Sequence, residues 1–506
     1  MKSNIRVNSI CKDEIIGKRV AFYFNYALGS PPLELHISAV KDMLSRDNKV
    51  TVYLCKGQLN ACTANPFHSY SVCSFCRYRT SSSLDPIASL IDIKQLDLQR
   101  TYKALDHNVS ASLELGVMSS MASAVKAQTH DQLNPAWVNV HDRMLDSSYR
   151  LYGFFLNEIK DHRYDYLFMF NGRFGDVKPA LEAARTSNIG YGLYEVKKSL
   201  HEVVFINELV HSIDANTRRA LTAYIRDPQA ARHQAALFFG KKENNQETGD
   251  PVYTQNQLRG ELPEAVLNSN RIVVAVYPTT DDEYKFIGKE WDGFVPEDQV
   301  VEIDHLSNAL DCDRFLIVVK MHPNQATTAE NVINRYKALQ EKYSHVVVED
   351  PMSKKDTYAL MRRADYIVNF ASTIGVEACY ARKVVIAIGD TTFSKMNIAY
   401  KTKSGEEAAL LISQGGLKPK PVRGAVIWGN YLLTYADRLP AFSRVSNGDY
   451  RVNGEIVGHS RFLRLLQLPA KLHLEMSKPG FKLDTAFLGK SRHIFRNIIR
   501  GKWAVK

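Results

Sequence analysis

Two short stretches of this chain bring together residue types that bind phosphate. Each directly follows an apolar run, and their polar residues are Lys320, His322, Asn324, Ser372 and Thr373. Lysine is cationic, and an imidazole donates a hydrogen bond that gains strength when the ring is protonated. Such groups can hold a phosphate and stabilise it electrostatically as a leaving group. The two stretches therefore predict a binding site for a phosphorylated ligand.

Gly375 and Glu377 follow the second stretch, where the pattern predicts the start of a helix. A helix N-terminus offers backbone N–H groups and the positive end of the helix dipole to a phosphate, and Gly375 allows a ligand to approach. Glu377 lies four residues after Thr373 on the same helix face, where we expect it to accept hydrogen bonds from ribose hydroxyls. In the alternative interpretation, Ser372 is only the N-cap of the helix and Glu377 balances its dipole.

Four more candidates lie near the predicted carboxyl ends of strands in the first half of the chain: Glu34, His36, Arg173 and Glu195. Glu34 and His36 either face a cleft or are solvated residues in the first turn of a helix, where a carboxylate is favoured. Arg173 can bind a phosphate or a sugar carboxylate through two parallel hydrogen bonds. Alternatively, Arg173 forms an ion pair with a carboxylate and fixes its own loop.

Four cysteines, Cys55, Cys62, Cys73 and Cys76, lie close together in the sequence and end in a C-x-x-C motif. Four thiols in one loop suit a structural, tetrahedral zinc site without a catalytic role. The alternatives are four unligated thiols or a reactive dithiol formed by Cys73 and Cys76.

Strands that alternate with helices must position these residues. The strand patterns are nearly continuous apolar runs, which indicates parallel sheets covered by helices on both faces. The carboxyl ends of parallel strands share one edge of a sheet, and ligands bind there. A polar segment predicts a linker and a domain boundary near 245–265. We therefore expect an α/β chain with an N-terminal domain (1–250) that contains the cysteines and a helical insert, a C-terminal domain (265–420) and a helical tail (421–506).

The composition restricts the class of protein. With 506 residues, of which 45% are hydrophobic and 24% charged, the chain is long enough for two globular domains. No apolar run approaches the roughly 18 residues of a membrane-spanning helix, and residues 1–19 lack the apolar core of a signal peptide, so we expect a cytoplasmic protein. The net charge of +11 favours anionic partners, but the sequence contains no nucleic-acid-binding motif.

The last segment, 492–506, is basic and has apolar residues at helical spacing. This pattern suits a helix that lies on anionic lipid, so that the protein would be peripheral on the inner face of the cytoplasmic membrane. The alternative is a C-terminal helix that packs back on the N-terminal domain.

The motif K-M-H-P-N (320–324) and the segment 350–378, which ends in S-T-I-G-V-E-A, resemble bacterial capsule and lipopolysaccharide glycosyltransferases of the GT-B type. The HP and Ser/Thr motifs are similar to those of the polysialyltransferase and Kdo-transferase groups. The resemblance implies two Rossmann-like domains with parallel sheets that face a central cleft. It also implies a nucleotide-sugar donor on the C-terminal domain, with His322 and the Ser/Thr pair at its phosphates and Glu377 at its ribose.

The implied activity is transfer of a sugar from that donor to a growing capsule, O-antigen or other surface polysaccharide, or to a lipid-linked acceptor, held by the N-terminal domain. A general base would deprotonate the acceptor hydroxyl while His322 stabilises the leaving phosphate. From their expected positions, Glu34, His36 and Asp282 are the candidate bases. The alternatives are a nucleotide-sugar epimerase or a polyol-phosphate transferase on the same fold, and a non-catalytic scaffold for glycan assembly.

Overall fold

The computed structural model divides the chain into two compact units. The first comprises Met1–Val210, Phe286–Gly288 and Ala436–Lys506, and the second comprises His211–Lys285 and Lys289–Tyr435. The described residues are 14–25, 32–99, 105–126, 130–198, 201–246, 248, 252–280, 286–288, 293–327, 330–438, 442–444, 450–452, 455–457, 468, 472–473 and 476–477.

The strands of the described residues are β1 (Arg19–Phe24), β2 (Lys49–Leu54), β3 (Asp92–Gln95), β4 (Tyr166–Phe170), β5 (Gly190–Lys198), β6 (His201–Ile206), β7 (Ile272–Tyr277), β8 (Phe315–Lys320), β9 (Val346–Glu349), β10 (Tyr366–Asn369), β11 (Val384–Ile388), β12 (Tyr400–Thr402), β13 (Asp437–Arg438), β14 (Phe442–Arg444), β15 (Tyr450–Val452) and β16 (Glu455–Val457). The last three form a small antiparallel sheet.

The helices are α1 (Pro32–Leu44), α2 (Tyr70–Leu84), α3 (His107–Val125), α4 (Pro135–His162), α5 (Lys178–Thr186), α6 (Ile213–Arg226), α7 (Pro228–Glu243), α8 (Glu264–Leu267), α9 (Gln299–Ala309), α10 (Glu330–Lys342), α11 (Thr357–Arg363), α12 (Ile374–Tyr380), α13 (Gly405–Gln414) and α14 (Arg423–Thr434). Among the described residues, no helix is both long enough and apolar enough to cross a membrane.

The first unit is built on a doubly wound sheet. Its strands β1 to β5 are parallel and have the order β3-β2-β1-β4-β5, and β6 and β13 extend the sheet in antiparallel orientation. In β1, the five residues after Arg19 are all buried. Burial of successive residues on both faces is expected for a parallel sheet that is covered by helices. The prediction of an α/β, Rossmann-like domain is confirmed for this unit.

The second unit contains a second sheet of the same kind. All six strands are parallel, in the order β12-β11-β10-β7-β8-β9. Starting from β7, the chain adds β8 and β9 on one side and then returns to add β10, β11 and β12 on the other. The order therefore reverses between β7 and β10, as in a Rossmann-type fold.

The division between the units differs from the boundary expected near 245–265. Helices α6 and α7, which the sequence assigned to the first domain, belong to the second unit together with α14. Phe238 and Phe239 of α7 are buried in one cluster with Trp428 and Tyr431 of α14. Helix α14, which the sequence placed at the start of the tail, thus packs against α6 and α7. The polar segment that was predicted to link the domains lies within the range of the second unit.

The described residues near the C-terminus pack against the start of α4, within the first unit. The indole N–H of Trp137 and the side-chain amide of Asn134 each donate a hydrogen bond of 2.9 Å to the carbonyl of Ser477. The chain therefore returns to the start of α4 after leaving the second unit. The segment 492–506 lies outside the described residues, so both interpretations of its helix stay predictions.

Candidate functional site

The strand order of the second unit reverses at the centre of the sheet, between β7 and β10. In sheets of this kind, ligands bind outside the carboxyl ends of the strands at that point. Loop 321–325 follows β8 and loop 370–373 follows β10, on either side of β7. Neighbouring strands lie about 4.8 Å apart, so roughly 10 Å separates the ends of β8 and β10. The two polar stretches therefore flank the end of β7. Asp282, which follows β7 in the chain, lies outside the described residues.

The tautomer of His322 is determined by its own loop. Its Nδ1 accepts a hydrogen bond of 3.1 Å from the backbone N–H of Asn324. The ring packs edge-on against Tyr253, whose hydroxyl accepts a hydrogen bond of 3.0 Å from the side chain of Asn324. Because Nδ1 is the acceptor, the proton of the neutral ring lies on Nε2. That N–H is suited to donate to a phosphate oxygen.

Two buried glutamines hold the loops after β7 and β8. The side-chain amide of Gln299 forms two hydrogen bonds with the backbone of Thr279. It accepts one of 2.9 Å from the N–H and donates one of 3.1 Å to the carbonyl. Gln325 accepts from the backbone N–H of His322 at 2.8 Å and donates to the hydroxyl of Tyr336 at 3.2 Å. Sequence reasoning missed both residues, because a buried glutamine and a solvated one fit the same local pattern.

Lys320 is almost fully buried at the end of β8, with 3% of its surface exposed. Its Nζ donates to the carbonyl of Ser353 at 3.3 Å, in the chain after β9. Burial lowers the pKa of Lys320 below its usual range, while the charges of Glu349, Asp350 and Asp356 oppose this effect. Lys320 thus connects the end of β8 to the chain that follows β9, and it supplies positive charge at the carboxyl edge of the sheet near β8.

The chain after β10 turns sharply before the short helix α12. Ala371 has a φ of 55°, and the side-chain amide of Asn369 donates to the carbonyl of Ser372 at 3.0 Å. Thr373, not Ser372, is the N-cap residue, and its side chain makes no capping hydrogen bond within the described residues. A Cβ at Gly375 would lie 2.9 Å from Nδ2 of Asn369, so a side chain at this position would displace the Asn369 amide.

Glu377 is buried in α12 and accepts a hydrogen bond of 2.6 Å from the hydroxyl of Tyr358. Burial and the charge of Glu377 raise the pKa of Tyr358, so the tyrosine remains a donor. Tyr277, the last residue of β7, donates to the carbonyl of Thr357 at 3.1 Å, and its pKa is raised by burial and by the charges of Asp356 and Glu377. Glu377 therefore has a protein partner, Tyr358, that the sequence did not indicate.

In the first unit, Glu34 and His36 of α1 are buried, with 0% and 1% of their surfaces exposed. Glu34 forms an ion pair of 2.6 Å with Arg79 of α2. The ring of His36 packs against Phe24 and Tyr194, and burial lowers its pKa to about 3. Both expectations, a cleft position and a solvated first turn, are corrected here, because residues 33–37 of α1 are all buried.

Arg173 follows β4, and Glu195 lies within the neighbouring strand β5, next to Tyr194, which pairs with the last residue of β4. The guanidinium of Arg173 lies 4.7 Å from the ring centre of Phe174 and donates to the hydroxyl of Ser123 at 3.4 Å. Glu195 accepts a hydrogen bond from the side-chain amide of Asn171. The clamp and the ion pair proposed for Arg173 both stay predictions.

The four cysteines lie near one another but are not tightly clustered. Burial raises the pKa of Cys55, Cys62 and Cys76, the last to about 12, and neighbouring thiols of the group contribute in each case. No three of these cysteines, all of which are described, have sulfur atoms within 4.8 Å of one another. Zn–S bonds of about 2.3 Å require sulfurs roughly 3.8 Å apart. The zinc site stays a prediction, and its formation requires Cys73 and the other thiols to move closer together.

The sequence of the second unit matches a known family. Residues 298–408 match the capsule polysaccharide biosynthesis protein family. The matched range contains the loops after β8 and β10 and helix α12, so the resemblance drawn from K-M-H-P-N and S-T-I-G-V-E-A is confirmed for this part of the chain. No curated protein matches the sequence at a significant level.

Several solved structures are similar at low identity. The β-Kdo 2,7 transferase of KpsC from Thermosulfurimonas dismutans is 12% identical, with a TM-score of 0.36 over 56% of this chain and 82% of that one. The β-Kdo 2,4 transferase of the same KpsC is 14% identical, with a TM-score of 0.34 over 52% and 78%. UDP-GlcNAc 2-epimerase from Neisseria meningitidis is 11% identical, with a TM-score of 0.23 over 82% and 100%. All three TM-scores are below 0.5.

Proposed function

We propose that this chain is a glycosyltransferase that moves a sugar from a nucleotide-sugar donor to a growing capsule or other surface polysaccharide. The observation that carries the proposal is the position of the family match. Residues 298–408 include both loops that flank the reversal of strand order in the second sheet. That edge is where doubly wound sheets bind nucleotides.

The donor phosphates would lie between His322 and the pair Ser372 and Thr373. The Nε2–H of His322 is a preset donor, and both hydroxyl residues are half-buried at the sheet edge. The roughly 10 Å between the ends of β8 and β10 leaves room for phosphate groups above β7. Asn324 would contribute to phosphate binding indirectly, through the hydrogen bond that its backbone N–H donates to His322. For Glu377 to bind the ribose, it would have to exchange or share its hydrogen bond with Tyr358.

In the proposed reaction, the bond between the anomeric carbon and the phosphate oxygen breaks, and the acceptor oxygen bonds to that carbon. The electron pair of the broken bond remains on the phosphate, where the Nε2–H of His322 stabilises the developing charge. The proton of the acceptor hydroxyl passes to a general base. Glu34 and His36 are buried, which leaves Asp282 as the candidate base to test.

The acceptor would be a glycan or a lipid-linked glycan bound by the first unit. The basic segment 492–506 would hold the protein at the inner face of the cytoplasmic membrane, where such acceptors are assembled.

Calorimetric titration with CMP, UDP, GDP and CDP tests the donor site. One nucleotide should bind, and His322→Ala should weaken it about 10-fold or more, since a hydrogen bond to a charged group contributes about 1.5–3 kcal/mol. His233→Ala, an exposed histidine of α7, is the matched control. The proposal fails if no nucleotide binds or if His322→Ala binds it as tightly as the wild type. If the protein binds a nucleotide but transfers sugar to no acceptor, a non-catalytic scaffold is favoured instead. If it releases an altered sugar nucleotide, an epimerase is favoured.

A further inference from the structure

A separate polar cluster lies in the first unit, where α3 is connected to α4. A short 3-10 turn, His130–Gln132, lies between the two helices, and His141 and Asp142 lie on the second turn of α4. One ligand atom each of His130, His141 and Asp142 lies within 4.8 Å of the other two. The two imidazole rings meet edge to face, with centroids 4.8 Å apart. Imidazole nitrogens are common ligands of divalent transition metals, and a carboxylate often holds such a histidine in place.

His141 is the buried member of this cluster, with 4% of its surface exposed. Its Nδ1 lies 3.1 Å from Oδ1 of Asp142. An ionised carboxylate only accepts hydrogen bonds, so Nδ1 carries the proton and Nε2 holds a lone pair. Nε2 is buried and has no hydrogen-bond partner among the described residues. A buried polar atom without a partner costs free energy, and a bound water or ion is one explanation for it.

We propose that His130 and His141 bind a divalent transition-metal ion, of the class of Zn²⁺ or Co²⁺. His141 would bind through Nε2, and Asp142 would orient its ring through Nδ1, as carboxylates do for metal-binding histidines. His130 and Asp142 are exposed, so the ion can enter from solvent and keep water on its remaining positions. The ion would join the connection after α3 to the second turn of α4. This inference does not depend on the proposed transferase function.

The test is a titration of the full-length chain with Co²⁺, followed by visible absorption. Nitrogen and oxygen ligands give d–d bands without the sulfur-to-metal charge-transfer absorption that the four neighbouring thiols would produce. His130→Ala should raise the Kd for Co²⁺ at least 10-fold, and Asp142→Asn, a change to a positioning residue, by about 10-fold. Asn retains a side-chain acceptor for Nδ1–H, so Asp142→Ala should weaken binding further.

The matched controls are His107→Ala and Asp131→Asn, which replace exposed residues of the same unit and should leave the Kd unchanged. Because His130 and Asp142 are exposed, their replacement leaves the core intact. The proposal is overturned if the wild type shows only thiolate bands, or if His130→Ala binds Co²⁺ as tightly as the wild type.

Discussion

The backbone N–H of Asn324 donates to Nδ1 of His322 at 3.1 Å, and this one hydrogen bond determines which ring nitrogen carries the proton. The side chain of Asn324 in turn donates to the hydroxyl of Tyr253, whose ring packs edge-on against the imidazole. Asn324 and Tyr253 thus hold the ring of His322 with Nε2 as its donor before any ligand arrives. A donor fixed in advance needs no reorganisation when charge develops on a leaving phosphate.

Two substitutions of Tyr253 distinguish the effect of its ring contact with His322 from that of its hydrogen bond with Asn324. Tyr253→Phe keeps the contact with His322 and removes only the hydroxyl, so we expect nucleotide affinity to fall about 10-fold or less. Tyr253→Ala removes both the ring contact and the hydroxyl, so the loss of nucleotide affinity should be larger. Calorimetry with the nucleotide that the wild type binds measures each loss. In a His322→Ala background, Tyr253→Ala should have little further effect, whereas equal losses in both backgrounds would show that Tyr253 does not act through the histidine.

The hydrogen bond between Tyr358 and Glu377 predicts a stability effect. Tyr358→Phe leaves a buried carboxylate without this donor, and we expect the free energy of unfolding to fall by about 1–3 kcal/mol. Tyr366→Phe, at a half-buried tyrosine of β10, is the matched control and should change it by much less. Urea denaturation of the three proteins provides the comparison. A loss no larger than that of the control would mean that Glu377 is satisfied in another way.

The sheets could be predicted from the sequence because their signal is local. Strands such as β8 and β11 are continuous runs of buried apolar residues, which is the pattern of parallel strands covered on both faces. The limits of the two units could not be predicted in the same way. Phe238 and Phe239 fit any amphipathic helix, and their partner Trp428 lies much later in the chain.

The sequence predicts which segments carry the candidate site residues, but it does not predict which other residues these side chains contact. Glu34 and His36 fit the pattern of polar first-turn residues, yet their environment is built by Arg79 from α2 and Tyr194 from β5. Tyr358 reaches Glu377 from another helix in the same way. Such contacts arise from tertiary packing, which a local pattern of residue types does not specify.

Gly375→Ala tests whether the shape of the turn after β10 controls ligand binding. The added Cβ would lie 2.9 Å from Nδ2 of Asn369, the group that holds the carbonyl of Ser372. We expect the turn to shift and nucleotide affinity to fall about 10-fold, roughly 1.4 kcal/mol, although no hydroxyl is removed. In Gly240→Ala, the control, the added Cβ meets nothing within 4 Å, and binding should not change. Unchanged affinity in both variants would rule out this role for the turn.

His36 predicts how the stability of the protein depends on pH. Its ring is buried against Phe24 and Tyr194, which lowers its pKa to about 3, whereas a histidine in an unfolded chain has a pKa of about 6.5. Between these values the unfolded state binds one proton more than the folded state. The stabilising effect of the neutral ring is therefore complete above about pH 6.5 and is lost as the pH falls, by up to about 1.4 kcal/mol per pH unit.

His36→Phe retains an aromatic ring and removes the titration. Urea denaturation at several values between about pH 7 and pH 5 should show the wild type losing stability relative to this variant by roughly 1 kcal/mol per unit below about pH 6.5. His107→Phe, at an exposed histidine of α3, should run parallel to the wild type. If His36→Phe runs parallel as well, the imidazole takes up its proton equally in both states. The ring would then be reached by water in the folded protein, and His36 would return as a candidate for the acceptor base.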